Sequence, residues 1–273
     1  MVQKLPNLIT QSALQAYSNC PRLYQLQYLQ QVAWPAERFD PQSQTESAIR
    51  DGETFHRLVH QYLLAIDPNL LSAHASKYPN PQMQIWWENF DKSIQQGVIP
   101  FFTTDQKFPE KFISAKLGVH TLTAKVDLLV VSEHRILILD WKTGKKIPSR
   151  QELAQKIQTR VYLWVAANSP ELNWHPDLPL QMGYWHAGNP DAILFTEVDA
   201  KYLAESANVI SSLIEQIEQD SDFPLINDSR PCQACQYRSH CGRGGKAPTL
   251  AEFDDYTDIF EPGPVDATEL WNE

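Results

Sequence analysis

The sequence lacks several features that would place the chain in large functional classes. No apolar run in its 273 residues approaches the ~18–20 residues that a membrane-spanning helix needs. The opening M-V-Q-K-L-P-N-L-I-T-Q is too polar and too short for a secretory signal. We therefore expect a cytoplasmic protein with no membrane partner. No G-x-x-x-x-G-K-S/T phosphate-binding loop is present, so ATP-driven DNA unwinding would have to come from another chain.

Basic charge is also scarce, since the net charge is −10, which is unusual for a protein that binds nucleic acid. Residues 247–273 contain eight Asp or Glu and no Lys or Arg, which leaves a net charge of −2 for residues 1–246. A near-neutral body can still contact DNA through a local basic patch. The acidic tail also carries aromatic residues; it is either a flexible surface segment or one that docks on the body, mimics DNA or binds a partner.

A predicted β-hairpin near the middle of the chain carries the strongest functional signal. Two apolar runs flank the polar tetrad S-E-H-R at 132–135, and a turn centred there places Asp127 opposite Asp140. Their Cβ atoms would lie ~4.5–5.5 Å apart on one face of the sheet, to which Lys142 also points. Because facing carboxylates repel each other, the pair predicts a divalent metal site with a lysine suited to phosphodiester chemistry. Alternatively, both aspartates end strands at a solvated rim.

Asp127, followed thirteen residues later by D-W-K-T-G at 140–144, resembles the RecB-like branch of the PD-(D/E)XK nuclease superfamily. The resemblance implies a mixed α/β fold, with a central mixed sheet flanked by helices. It implies DNA hydrolysis dependent on Mg²⁺ or Mn²⁺. The metal ligands would be Asp127, Asp140 and the Trp141 carbonyl, and Lys142 would orient the attacking water or stabilise charge at the phosphate.

Two further motifs of this family occur in the expected order. G-x-x-x-H matches Gly52 to His56, and Q-x-x-x-Y matches Gln158 to Tyr162. The resemblance implies that His56 is an additional metal ligand. It also implies that Gln158 and Tyr162, which share one helix face, contact DNA or orient catalytic groups. The predicted basic patch beside this site consists of Lys142, Lys145, Lys146, Arg150 and Arg160.

The chain has four cysteines, at Cys20, Cys232, Cys235 and Cys241. Three of them form C-x2-C-x5-C near the C-terminus, and the fourth lies 212 residues earlier. The spacing permits two disulfides, a zinc site or an iron–sulfur cluster, and a reducing cytoplasm disfavours the disulfides. His240 is an alternative zinc ligand, although we expect it to lie on the surface.

The context of Cys20 adds a resemblance that the spacing alone does not provide. The run S-x-x-x-x-Y-x-x-C-P-R-L-Y at 12–24 is similar to the start of RecB-like exonucleases that carry iron–sulfur clusters. These include AddB-type nuclease domains and CRISPR-associated RecB-like exonucleases. The resemblance implies a 4Fe–4S cluster on the four cysteines, with zinc as the alternative, in a structural role that joins the two ends of the chain.

The resemblance as a whole implies an exonuclease that acts on single-stranded DNA ends in CRISPR adaptation or DNA repair. Partner proteins would be a CRISPR integrase or a helicase. The alternative is a catalytically silent subunit that keeps the fold and serves in DNA binding or assembly of a recombination or repair complex. The intact Asp–Asp–Lys set argues against that alternative.

The predicted organisation is one nuclease domain over 1–246, with a helical insertion at about 63–100 and an acidic tail over 247–273. Ser12 is the expected N-cap of the first helix, and Ser149 with Glu152 forms a capping box. The predicted helices are 12–30, 46–66, 82–96, 150–167 and 199–219. The predicted strands are 110–117, 120–131, 135–142, 180–186 and 192–198.

Overall fold

A computed structural model describes residues 5, 8–32, 44–100, 105–144, 146–235 and 237–243. The acidic tail and Lys145 therefore lie outside the described residues. Within them, the strands form one sheet. They are β1 (Leu8–Thr10), β2 (Gln106–Leu117), β3 (His120–Val131), β4 (Ile136–Lys142), β5 (Leu180–His186) and β6 (Asn189–Glu197).

The helices of the described residues are α1 (Gln11–Asn19), α2 (Pro21–Tyr24), α3 (Gln44–Leu63), α4 (Pro68–Lys77), α5 (Gln82–Gln95), α6 (Arg150–Gln155), α7 (Ile157–Asn168), α8 (Ala200–Gln219) and α9 (Arg230–Ala234). A π-helical turn follows α2 at Gln25–Leu29, and a 3₁₀ turn spans Arg238–Cys241. Helices α4 and α5 occupy the predicted helical insertion. No described helix combines the length and apolar character needed to cross a membrane.

The sheet is mixed, and its strand β3 pairs with three other strands, β1, β2 and β4. β2 pairs with β3 antiparallel along nearly its whole length, so β1 and β4 share the opposite edge of β3. β1 is parallel and β4 antiparallel to β3, while β5 is parallel to β4 and β6 antiparallel to β5. The predicted mixed α/β fold is confirmed.

Two hydrophobic cores pack against the two faces of this sheet. Helices α1, α7 and α8 cover one face, where Leu14, Val161 and Ile210 are fully buried. Helices α3, α4 and α5 cover the other face, where Phe55 stacks on Trp185 with ring centroids 6.0 Å apart. The tryptophans of α5, Trp86 and Trp87, are buried in this second core. Burial on both faces explains why residues 128–131 of β3 and 136–139 of β4 are continuous runs of Leu, Val and Ile.

The first predicted helix, 12–30, was wrong in its N-cap and in its continuity, because the helical turns up to Leu29 are broken at Cys20. Thr10, not Ser12, caps α1, because the Thr10 hydroxyl accepts a hydrogen bond from the Ala13 N–H at 3.2 Å. The helix stops at Cys20, whose backbone is extended (φ −165°, ψ 116°). A residue before proline is disfavoured in the helical region, so Pro21 accounts for the interruption. Cys20 therefore lies at a helix junction.

The predicted helix over 150–167 is two helices that meet at Lys156. The predicted capping box is confirmed: Ser149 N donates to Glu152 Oε2 at 2.7 Å, and Glu152 N donates to Ser149 Oγ at 3.2 Å. Lys156 then leaves the helical region, with φ −62° and ψ 143°. The Thr159 hydroxyl donates to the Leu153 carbonyl, which partly compensates for the hydrogen bonds lost at this break. The break places Gln158 in the first turn of α7.

Candidate active site

The register of the hairpin formed by β3 and β4 is the one predicted. Leu128 pairs with Leu139 and Val131 pairs with Ile136, so the next pair along the ladder would be Asp127 with Asp140. The ladder ends before that pair. Asp127 Oδ2 instead accepts a hydrogen bond from the Trp141 N–H at 2.9 Å. The aspartate side chain thus bridges the two strands where they separate, next to Asp140.

The site lies in a gap along one edge of β3. On that edge, β1 pairs with residues 121–123 and β4 pairs with residues 128–131, so the described strands leave 124–127 without a ladder partner. Tyr162 fills part of the gap, because its hydroxyl donates to the Lys125 carbonyl at 2.7 Å. A backbone carbonyl freed by the strand arrangement is thereby satisfied by a helix side chain.

The backbone of β3 is irregular at the same level. Val126 and Leu129 face the core beneath α7, whereas Leu128 faces the core beneath α3, so the alternation of side chains changes at Asp127. On the neighbouring strand β2, Glu110 is opposite Asp127, is missing from the ladder and has φ 52°. This irregularity places the Asp127 carboxylate at the gap, within reach of helices on both faces.

Asp140, which is 3% exposed, forms a closed network with two other side chains. Lys142 Nζ lies 2.9 Å from Asp140 Oδ2, and Gln158 Nε2 donates to Asp140 Oδ1 at 2.8 Å. Lys142 Nζ also donates to Gln158 Oε1 at 3.2 Å. The structure therefore brings together Asp140, Lys142 and Gln158, all assigned to the site from the sequence.

His56 reaches the site from α3, on the opposite face of the sheet. Its Nδ1 lies 3.3 Å from Asp127 Oδ2. Gly52, one turn earlier, lets the helix approach the strand end closely, because a Cβ on Gly52 would lie 3.2 Å from Thr143 Oγ1. The glycine and the histidine of the G-x-x-x-H motif thus have complementary roles: one allows the approach and the other makes the contact.

The charges of the site influence one another strongly. Burial raises the pKa of Asp140 to about 6; Lys142 opposes this rise and Asp127 adds to it. Burial also favours the neutral form of Asp127, but His56, the Trp141 N–H and Lys142 together outweigh burial and lower the Asp127 pKa. Burial lowers the His56 pKa, yet Asp127 and Asp140 raise it to about 9. His56 and Lys142 therefore supply the positive charge beside the two carboxylates. A divalent cation bound there would take over this role, and His56 would have to lose its proton to ligate it.

Tyr184 and Thr159 belong to the same network and were missed from the sequence. The Tyr184 hydroxyl donates to Gln158 Oε1, and Thr159 contacts that hydroxyl. Tyr184 is opposite Asp140 in the parallel pairing of β4 with β5. The sequence offers no signal for this, because a long crossover separates the two strands and hides their register.

The basic residues predicted to contact DNA are not gathered at one point. Lys146 and Arg150 are exposed near the start of α6. Arg160 instead packs on α8, with its guanidinium 5.5 Å from the Tyr202 ring centroid and 3.4 Å from Ser206 Oγ. A role in DNA contact stays a prediction for Lys146, Arg150 and Arg160.

The four cysteines lie around one small cavity that is partly open to solvent. The cavity is otherwise mostly apolar, and all four thiols are free. Burial raises the pKa of Cys235 to about 12 and also raises the pKa values of Cys232 and Cys241. His240 is exposed, as predicted. The fold thus brings Cys20 next to the C-terminal cysteines.

Among the residues that the structure describes, no three or more His, Cys, Asp or Glu side chains are arranged closely enough to ligate one metal ion. This holds for the site around Asp127 and for the cysteines. At the first site, the Asp140 carboxylate is engaged by Lys142 and Gln158. Metal binding there would require these side chains to move apart.

A tyrosine-to-phenylalanine substitution tests the role of Tyr162 in the gap. Tyr162→Phe leaves the Lys125 carbonyl without this donor, so we expect the free energy of unfolding to fall by about 1–3 kcal/mol. Tyr62→Phe is the matched control, because the Tyr62 hydroxyl makes no hydrogen bond within the described part of the chain; its effect should stay within about 0.5 kcal/mol. Urea unfolding of the wild type and the two variants measures these free energies. Equal stabilities of all three proteins would contradict the stabilising role of the Tyr162 hydroxyl.

A family model of the PD-(D/E)XK nuclease superfamily matches residues 8–242. The fold is similar to the crystal structure of a candidate exonuclease from Eubacterium rectale, with a TM-score of 0.52, 12% sequence identity and coverage of 89% of this chain and 91% of that chain. For SSO0001 the TM-score is 0.36, with 14% identity and 89% and 90% coverage, which carries no argument. No curated protein matches in sequence.

Proposed function

The chain belongs to the PD-(D/E)XK nuclease superfamily, and we propose that it is a divalent-metal-dependent DNA exonuclease of the RecB-like branch. The observation that carries the proposal is the convergence of three separate motifs in the gap of β3. His56 comes from α3, the Asp127, Asp140 and Lys142 set from the hairpin, and Gln158 from α7. A solvated rim does not explain this convergence, because Asp140 is 3% exposed.

The donor set fits a hard divalent cation. Asp127 and Asp140 supply carboxylate oxygens, the Trp141 carbonyl is a further oxygen ligand, and His56 supplies an imidazole nitrogen. When bound, Mg²⁺ or Mn²⁺ polarises the scissile phosphate and lowers the pKa of the attacking water. Residues on both faces of the sheet would thus hold the metal.

The remaining side chains of the site act on the substrate directly or through their neighbours. The Lys142 ammonium is a point charge that suits a phosphate oxygen, and it orients the attacking water or stabilises developing negative charge. The Gln158 amide holds Asp140 and Lys142 at fixed positions. Tyr162 fixes the backbone at Lys125, two residues before Asp127. Lys145, Lys146 and Arg160 are proposed to contact the DNA backbone.

For the cysteines we propose a 4Fe–4S cluster, with zinc as the alternative. The proposal is supported by four free thiols around one cavity, and metal binding there would release the thiol protons. The cluster would link the α1–α2 junction to the segment after α8. Reduced thiols suit a reducing compartment, so a cytoplasmic location is part of the proposal.

The substrate in this proposal is single-stranded DNA with a free end, processed in CRISPR adaptation or DNA repair. A CRISPR integrase or a helicase would be the partner protein. The similarity in fold to the candidate exonuclease from Eubacterium rectale supports the exonuclease part of the proposal.

Cleavage assays with Mn²⁺ on end-labelled linear and on circular single-stranded DNA test the proposal. We expect mononucleotides or short products from the linear DNA and an intact circle, because an exonuclease needs an end. Nicking of the circle would indicate an endonuclease. Binding of both DNAs without any cleavage would favour the silent assembly subunit. The protein should be purified anaerobically, so that loss of an oxygen-sensitive cluster does not imitate inactivity.

A further inference from the structure

Tyr184 lies at the centre of the polar network beneath Lys142 and is fully buried. Its hydroxyl is 3.3 Å from Gln158 Oε1 and 2.8 Å from Thr159 Oγ1. Lys142 Nζ lies 5.7 Å from the centroid of the Tyr184 ring. We propose that Tyr184 is a positioning residue that fixes the orientation of the Gln158 amide and supports Lys142, an inference that rests on the proposed nuclease function.

The glutamine amide has two unlike ends, a donor NH₂ and an acceptor oxygen. Nε2 donates to Asp140 Oδ1 at 2.8 Å, so Oε1 must face the donors on the other side. A reversed amide would place Oε1 against a carboxylate and the NH₂ against an ammonium. Tyr184 adds a second donor to Oε1, next to the donor from Lys142, and so favours the productive orientation.

The Tyr184 hydroxyl is itself held in place. Thr159 donates its one hydroxyl proton to the Leu153 carbonyl at the end of α6, so Thr159 Oγ1 is an acceptor for Tyr184. The single Tyr184 proton is therefore shared between Thr159 Oγ1 at 2.8 Å and Gln158 Oε1 at 3.3 Å. The contact links the hydroxyl to the break between α6 and α7, which also places Gln158 in the first turn of α7. Tyr184 therefore couples the position of Gln158 to the junction between α6 and α7 and to the strand β5, which lies next to Asp140 in the sheet.

The ring of Tyr184 contributes separately from its hydroxyl. An ammonium within about 6 Å of an aromatic centroid is attracted to the ring face. The ring thus supports Lys142 from below while Asp140 and Gln158 hold it from the side. Phenylalanine keeps this ring and removes the hydroxyl alone, which makes Tyr184→Phe the informative substitution.

Two measurements on Tyr184→Phe test the proposal, with Tyr17→Phe as the matched control. Tyr17 is also buried and also donates its hydroxyl to a side-chain oxygen, Asp220 Oδ2 at 3.0 Å, but it lies on α1. For Tyr184→Phe we expect kcat on linear DNA to fall about five- to tenfold, with KM for DNA changed less than about twofold. In ¹⁵N-glutamine-labelled protein, the Gln158 side-chain signals, identified by their loss in Gln158→Ala, should shift or broaden. Tyr17→Phe should change neither.

The outcomes separate this inference from the proposed function. An inactive wild type would contradict the nuclease proposal, and the Gln158 signals would then decide the role of Tyr184 alone. Unmoved Gln158 signals in Tyr184→Phe overturn the inference, whatever happens to kcat. Equal losses of kcat in Tyr184→Phe and Tyr17→Phe also overturn it, because a general loss of stability would explain both. Melting temperatures of both variants check that the fold is kept.

Discussion

Replacing Lys142 with alanine lowers the rate of DNA cleavage by about 10²- to 10³-fold, as expected when a group that stabilises developing charge is removed. Lys142 lies 2.9 Å from Asp140 and is the site lysine closest to the proposed metal ligands. The fold should persist, because Asp140 keeps its hydrogen bond from Gln158. Cleavage of linear single-stranded DNA under single-turnover conditions measures the loss of rate, and the melting temperature shows whether the fold persists.

The matched control for this substitution is Lys92→Ala. Lys92 also pairs with an aspartate, Asp191 at 3.1 Å, but the pair is exposed and lies on α5 and β6. Exposed pairs of this kind contribute about 0–1 kcal/mol to stability, so cleavage and melting temperature should both match the wild type. Cleavage at the wild-type rate by Lys142→Ala would remove Lys142 from the mechanism.

Replacing Cys232 with alanine should release the proposed cluster and lower the melting temperature by about 10 °C or more. The estimate follows from long-loop closure, where a cross-link contributes several kcal/mol, and about 1 kcal/mol corresponds to about 2–4 °C in a chain of this size. Iron, sulfide and zinc analysis with a visible spectrum identifies the metal in the wild type, since an iron–sulfur cluster is coloured and zinc is not. An unchanged melting temperature in Cys232→Ala would contradict a structural role for the site.

A double-substitution cycle distinguishes a shared metal site from four independently packed thiols. If Cys20 and Cys232 ligate one cluster, Cys20→Ala combined with Cys232→Ala should cost little more than either single change, because the cluster is already lost. Independent packing predicts that the two losses add. The comparison works equally well for iron and for zinc, so it tests the joint site without assuming its metal.

The hairpin was predictable because its period and its turn are local properties of the sequence. The two apolar runs on either side of S-E-H-R predicted the register that places Asp127 next to Asp140. The four cysteines were predictable as a group because such a spacing has few uses. That the fold brings Cys20 to the other three is visible in their common cavity.

The features that were missed depend on contacts between distant segments. The short strand β1 carries too little periodicity to be recognised, and it forms only because β3 offers an edge. The break at Lys156 follows from tertiary contacts such as Thr159 with Leu153, which no propensity in 150–167 reveals. Tyr184 enters the site through the parallel pairing of β4 and β5, a register set across a helical crossover.

The position of the cysteines at the two ends of the chain has a consequence for the order of synthesis. The proposed metal ligands, together with Lys142, Gln158 and Tyr162, lie between residues 56 and 162, whereas three of the four proposed cluster ligands lie after residue 230. A ribosome adds roughly 5–20 residues per second, so Cys241 emerges about 4–16 s after Tyr162. The nuclease site can therefore begin to assemble on the nascent chain first, and delivery of the proposed cofactor to the cysteines would follow it.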